Sequence, residues 1–268
     1  MFDFAEMIKI QDIASLLESV APPHLQESYD NAGLIVGSPD DTVTGILFCL
    51  DSTEEIIEEA VRKGCNMVVA HHPIVFRGLK RFNGSSYVER TVIRAIRERV
   101  AVYAIHTNLD NVYFRGVNSK IAEKLGLTGT TILSPRPGQE QVGAGLVGTL
   151  RKPMTESYFL QHVRNTMNAP CIRHTRLLGR NVSRVAVCGG AGSFLLPDAI
   201  RAGADAFVSA DFKYHEFFDA EDRLVVADIG HFESEQYTIQ LLFDIIREKY
   251  PTFALHLTEV RTNPVHYL

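Results

Sequence analysis

No apolar run in this chain reaches the roughly 18 residues that a membrane-spanning helix needs, so a membrane protein is not expected. The opening stretch MFDFAEMIKIQDIASLLESV is interrupted by acidic side chains and lacks the pattern of a secretory leader. Basic blocks are missing too. With a net charge of -5, a pI of about 6.1 and no run of Lys/Arg, nothing suggests a nucleic-acid surface. Cysteine is sparse. Cys49, Cys65, Cys171 and Cys188 show no CxxC spacing, and buried reduced thiols in a cytoplasmic protein are the expectation. The Gly-rich stretch CGGAGS (188–193) lacks the lysine of a Walker loop and is not GxGxxG. It reads either as a tight turn or as a backbone cradle for phosphate.

The 268 residues are 46% hydrophobic and 22% charged, enough for one large domain or two intertwined smaller ones. Residues 8–20 have amphipathic spacing and stop at Pro22-Pro23. GILFCLD (45–51) reads as a buried strand. The following STEEIIEEAVRKG reads as a helix capped by Ser52 or Thr53 and stopped by Gly64. MVVA (67–70) is a second strand, 87–99 a helix and AVYAI (101–105) a third strand. This alternation predicts parallel βαβ units. Later strands are expected at 184–188, 206–209 and 224–227, with helices at 197–202 and 232–249.

AVRKGCNMVVAHH (60–72) aligns without a gap over AIRAGADAFVSAD (199–211), placing His72 opposite Asp211. We read an internal pseudo-repeat. The expected fold is α/β, with two similar halves, each a sheet flanked by helices, and a metal site between them at the strand tips. The expected boundaries are 1–127 for the first half, 128–180 for a connecting hairpin and helix region, and 181–268 for the second half.

Ligands in open parallel sheets gather beyond the carboxyl ends of the strands. That rule collects His71, His72, His106, Asn108 and Asp110 from the first half, and Asp211, His215, His231 and Glu235 from the second. The adjacent His71-His72 ends a buried strand before Pro73. It suits a pair of metal ions, or else one structural or general-base histidine beside an incidental one. His231 and Glu235 stand i, i+4 on a helix, a workable metal pair. Glu233 reads as a first-turn charge favoured by the helix dipole, and Asp228 as a metal helper or a structural hydrogen-bonder. Asp110 is a second carboxylate or a turn residue. His106 is a ligand, an orienter of one, or a proton shuttle. His215 and Asp211 are acid/base groups or merely helix N-terminal residues. HEFFD (215–219) is not HExxH, because Asp219 stands where the second histidine belongs.

The motifs YDNAGLIVG (29–37), VAHHPIVF (69–76), HTNLD (106–110), VAVCGGAGS (185–193), SADFKYHE (209–216) and DIGHFESE (228–235) run in order over nearly the whole chain. In these the sequence resembles the dinuclear-metal, hexameric proteins known as GTP cyclohydrolase 1 type 2 homologues, in their compact form without an inserted middle domain. The resemblance implies two divalent ions (Zn, Fe, Mn or Ni) on His71, His72, Asp110, His231 and Glu235. Glu235 and Asp110 are then the natural bridging groups, with catalytic roles for His215 and His106 nearby. It also implies a homohexamer built as a ring of dimers, and a nucleotide substrate such as GTP. Ring opening would use a metal-activated water, with Arg77, Lys80 and Lys213 as cations for the triphosphate. A metal-binding scaffold without GTP chemistry and a phosphoesterase are the alternatives.

Overall fold

The computed structural model describes residues 7–268; residues 1–6, the first part of the stretch read as no leader, lie outside it. Contacts divide the chain into two compact units, Met1–Leu109 with Thr238–Pro264, and Asp110–Tyr237 with Val265–Leu268.

The first unit is a five-stranded sheet in the order β1-β4-β3-β2-β11. Its strands are β1 (Gly33–Val36), β2 (Ile46–Cys49), β3 (Met67–Ala70), β4 (Ala101–Ala104) and β11 (Leu255–Leu257). Strands β11, β2, β3 and β4 are mutually parallel and β1 is antiparallel to β4. Every residue of β2, β3 and β4 is buried, as expected of strands covered on both faces. Helices α2 (Glu54–Arg62) and α3 (Tyr87–Arg97) supply Ile56, Ile57, Val92 and Ala95 to the core around Leu47, Val68 and Val102. Helices α1 (Ile10–Val20) and α9 (Thr238–Lys249) also belong to this unit, with Phe243 of α9 meeting Phe48 edge-on at 5.8 Å. Thr53 caps α2 by accepting from the Ile56 N–H.

The second unit has six strands in the order β5-β6-β8-β9-β10-β7. They are β5 (Leu127–Pro135), β6 (Gly143–Thr155), β7 (Arg173–His174), β8 (Asn181–Ala191), β9 (Ala206–Ala210) and β10 (Val225–Asp228). Its helices are α5 (Val117–Leu125), α6 (Glu156–Thr166), α7 (Leu196–Arg201) and α8 (His231–Glu235), and the single turn α4 (Thr107–Asp110) spans the boundary. The stretch 128–180, expected as a connector, supplies β5, β6, α6 and β7 to this unit.

The internal repeat is visible strand by strand. β2-β3-β4 and β8-β9-β10 are each three parallel strands whose middle strand follows a helix, α2 or α7, and each set carries an antiparallel edge strand, β1 or β7. The two helix stops also match. Gly64 (φ 72°) and Gly203 (φ 67°) take the left-handed conformation that favours glycine. In each the next residue bonds back to the helix, Cys65 N–H to Ala60 O at 2.8 Å and Ala204 N–H to Ala199 O at 3.0 Å.

Two expectations are corrected. The helix foreseen over 232–249 is broken at Gln236-Tyr237, because the Gln236 amide donates to Met167 O and the Tyr237 hydroxyl to Thr166 O. Cys171 is exposed; the other three cysteines are buried and all four are free. Glu233 lies in the first turn of α8, as expected, and is buried there. No described helix is long and apolar enough to cross a membrane.

Candidate metal centre

In the first unit the ladder continues past the end of β3. His71 N–H donates to Cys49 O at 3.2 Å and His72 N–H to Leu50 O at 2.9 Å. Both rings are thereby set at the strand tip. His71 is fully buried, and its Nδ1–H donates to the Ile105 carbonyl at 2.8 Å. A carbonyl can only accept, so Nδ1 carries a proton, and in the neutral ring the lone pair is on Nε2. His72 Nδ1 meets Asp51 Oδ1 at 2.8 Å, and the other Asp51 oxygen accepts from the Thr262 hydroxyl at 2.7 Å. His106 Nδ1 meets Asp30 Oδ1 at 2.8 Å, while Asp30 Oδ2 accepts from the N–H of Thr107 at 3.0 Å and from its hydroxyl. Burial alone would raise the Asp30 carboxyl, but the hydrogen bonds from His106 and Thr107 and the His106 charge overcome it and hold it at about 2.

The three rings form a near-equilateral group, with centroids 4.9, 5.3 and 5.3 Å apart. One donor atom from each lies within 4.8 Å of the others, a spacing that a metal ion can span. Each ring is gripped at Nδ1 by a carbonyl or carboxylate. That is how metal-binding histidines are oriented and made more basic.

The second unit builds its group from carboxylates. Asp211, at the tip of β9, takes a left-handed conformation (φ 57°) and bonds His231 Nδ1 through Oδ2 at 2.7 Å. His231 opens α8, and its Nε2 stands 3.1 Å from Oε2 of Glu235 one turn on. Burial would lower the His231 pKa, but Glu235 and Asp211 on either side push it up to about 11. Without a metal this imidazole is therefore charged, and an ion taking Nε2 displaces a proton. Carboxylate oxygens of Asp110 and Glu235 lie within 4.8 Å of each other. Both charges, after burial itself, raise the Cys188 thiol and keep it inert.

The Gly-rich turn explains itself here. Gly190 (φ 62°) passes so close to Glu235 that a Cβ would come within 2.5 Å of Oε1 and 3.2 Å of His231 Cε1. The N–H of Gly189 donates to Asn118 Oδ1 at 3.0 Å and that of Gly190 to Ser234 Oγ at 2.9 Å. Those donors are used within the protein. The turn packs directly against Glu235.

The remaining predicted residues fall as follows. Asp228 accepts from Arg173, from Phe212 N–H at 2.9 Å and from Gly230 N–H at 3.1 Å, so it is a structural hydrogen-bonder. Asn108 is buried, its amide donating to Ala21 O at 2.7 Å. His215 is exposed between the rings of Tyr214 and Phe218 and belongs to none of the metal-capable groups among the described residues. Arg77, Lys80 and Lys213 are exposed. Sequence reasoning missed Asp30 and Asp51 as orienters. The only signal was Asp30 within YDNAG and Asp51 closing an apolar strand.

Imidazoles oriented through Nδ1, together with carboxylates and with no thiolate in these groups, fit an open divalent-ion site better than a closed, thiolate-rich structural zinc site. Fold and donors together define an α/β protein with two sheets flanked by helices and groups able to hold metal. The chain belongs to the Duf34/NIF3 (NGG1p interacting factor 3) family, which matches residues 8–264. It is 32% identical over 243 residues to a GTP cyclohydrolase 1 type 2 homolog of Clostridium perfringens, covering 90% of this chain and 92% of that one. A crystal structure of a Bacillus cereus protein related to NIF3 superposes with a TM-score of 0.91 at 25% identity, covering 98% and 99% of the two chains. A Staphylococcus aureus hypothetical protein gives 0.89 at 27% identity, covering 97% and 99%.

Proposed function

We propose that this chain is a metal-dependent hydrolase in which His71, His72, Asp110, His231 and Glu235 hold two divalent ions of the Zn, Fe, Mn or Ni type. The observation that carries the reading is the orientation of the imidazoles: His71, His72 and His231 are each held at Nδ1 by an acceptor. Bound ions of this kind lower the pKa of a coordinated water and polarise the bond it attacks. The protein's own part is to orient the rings through Ile105 O, Asp51 and Asp211, and to keep Glu235 buried with its partner His231. His106, already bonded to a carboxylate, is the group best placed to pass a proton at Nε2, since Asp30 fixes the other nitrogen. His215 is read as a second, solvent-side proton carrier.

The relatives' name makes GTP the substrate of first choice, opened at the purine C8, in a cytoplasmic homohexamer. Purified protein loaded with Mn, Zn or Fe is expected to release formate from GTP, and substitution of His71 or Glu235 to abolish both metal content and turnover. No formate with any of these ions, at full metal occupancy, refutes the enzymatic reading.

A metal-binding scaffold without turnover is the second reading. It is favoured by the exposed His215, which has ring neighbours but no carboxylate partner among the described residues. In that case His71 and Glu235 variants lose metal and a partner protein, with no rate to lose. Activity on generic phosphate esters but not on GTP would point instead to a phosphoesterase.

A further inference from the structure

The first unit holds a cleft of about 270 Å³ between the opening turns of α2 and α3 and the stretch that follows β11. Thr53, Glu54 and Glu55 line it from α2, Tyr87 and Thr91 from α3, and Arg261 with Thr262 from the stretch after β11. Drug-sized pockets begin near roughly 300 Å³, whereas one water needs only about 10–15 Å³. The cleft is therefore sized for a small organic molecule.

Its polar groups are unevenly spent. Glu54 Oε2 accepts from Arg90 Nε at 2.8 Å, and Arg261 is engaged within the protein. Glu55 is exposed and has no hydrogen bond or ion pair among the described residues. Thr53 caps α2 through its oxygen, 3.4 Å from Ile56 N, which leaves its proton free to donate. Thr91 is 1% exposed, and its hydroxyl has no hydrogen-bond partner among the described residues. A threonine inside a helix often bonds the carbonyl four residues back; this one does not. Tyr87 adds an exposed aromatic ring. One carboxylate, one ring and several hydroxyls suit a cation that carries N–H donors and a short apolar chain. Thr262 ties the cleft to the histidine group. Its hydroxyl donates to Asp51 Oδ2 at 2.7 Å, and Asp51 Oδ1 meets His72 Nδ1 at 2.8 Å. The Thr262 oxygen keeps lone-pair capacity for a further donor. A cationic donor placed there polarises the hydroxyl and strengthens its bond to Asp51, which then grips His72 less strongly.

We propose that this cleft binds a small organic primary amine, its ammonium on Glu55 and the Thr262 oxygen and its chain along Tyr87, and that occupancy is passed to His72 through Thr262 and Asp51. Neither the site nor the relay needs a metal. Only the consequence, a weaker hold of His72 on its ion while the amine is bound, rests on the metal-dependent reading above.

The probe is n-butylamine, with n-butanol and butyrate as its neutral and anionic counterparts, titrated into full-length, metal-stripped protein isotope-labelled at histidine. Calorimetry reads the binding. The ring-nitrogen resonances of His72, assigned with His72→Gln, read the relay. n-Butylamine is expected to bind saturably, about tenfold or more tightly than either counterpart, and to move the His72 signals. Added salt should weaken it. Glu55→Gln should cost about tenfold in amine affinity. Thr262→Val should keep Glu55-dependent binding and lose the His72 response. No saturable binding by the wild type, equal or tighter binding of n-butanol or butyrate, or unchanged amine affinity in Glu55→Gln would overturn the site. His72 signals that stay still on amine binding, or that move equally in Thr262→Val, would overturn the relay. Manganese titrated into the same samples separates the two readings. Its affinity should fall when the amine is present. Amine binding with its His72 response, in a protein that takes up no manganese, zinc or iron, would sustain the proposal and sink the metal-dependent reading.

Discussion

Gly190→Ala tests the assignment of Glu235 without touching any candidate ligand. Two costs are separable. An alanine at φ 62° loses about 1–2 kcal/mol to its left-handed backbone. The added Cβ also sits 2.5 Å from Glu235 Oε1, which must retreat by about 1 Å to reach ordinary contact. A carboxylate at the end of a flexible side chain would normally yield cheaply. This one is 3% exposed and paired with His231 at 3.1 Å, so yielding breaks a buried charge-assisted contact worth about 1.5–3 kcal/mol. Gly203→Ala is the control. Its φ of 67° is nearly the same, and its Cβ would meet nothing within 4 Å. The difference between the two variants isolates the Glu235 contact. It should appear as a Tm about 3–12 °C lower for Gly190→Ala than for Gly203→Ala by differential scanning calorimetry. Metal content, read by mass spectrometry of the elements, should fall in Gly190→Ala alone. If the two variants share one Tm and one metal content, Glu235 is not held in place as argued and its role as a ligand loses its structural support.

Two further outcomes follow from the charges. In metal-stripped protein the His231 imidazolium between Asp211 and Glu235 has a pKa raised from 6.5 to about 11. Its stabilisation is therefore fully present below pH 6.5 and lost as the pH rises towards 11. Urea midpoints of the stripped protein should decline over that window, and His231→Gln should flatten the decline. Asp30 has the opposite sign. Its carboxyl is lowered from 3.8 to about 2, so its contribution is present above 3.8 and lost as the pH falls through 2. With its side chain inaccessible to solvent, Asp30→Asn should cost about 2 kcal/mol at neutral pH. That gap from the wild type should close in acid; a gap independent of pH would show that the charge is not what stabilises.

The parts of the fold that sequence reveals are those where a local rule suffices. Strands β2, β3, β4, β9 and β10 are apolar on both faces, and each is entered from a helix or a loop with clear stop signals, so their places can be read directly. The pairing of His231 with Glu235 follows from helix periodicity alone. What sequence hides is set by distant partners. Asp30 reaches His106 across 76 residues and Asp51 reaches His72 across 21, and no periodicity links them. The break after α8 has the same origin, since Gln236 and Tyr237 bond to residues about 70 positions earlier in the chain. Two-residue β7 is too short to leave a pattern. His215 follows a strand tip, and its exposure on the 3-10 turn over Tyr214–Ala220 is set by the path of the chain after β9, which no local pattern announces.

The first unit is interrupted in sequence, and this bears on the order in which the protein can be made. Its outermost parallel strand, β11, pairs with β2, although more than 200 residues separate them. A ribosome therefore delivers all of Asp110–Tyr237 before the strand that completes the first sheet exists. Until then the edge of β2, wholly apolar in side chain, has no neighbour, and nascent chains are exposed to pairing with one another. Folding of the first unit is thus a late event in synthesis, and chaperone dependence should be concentrated in the interval before Leu255 emerges.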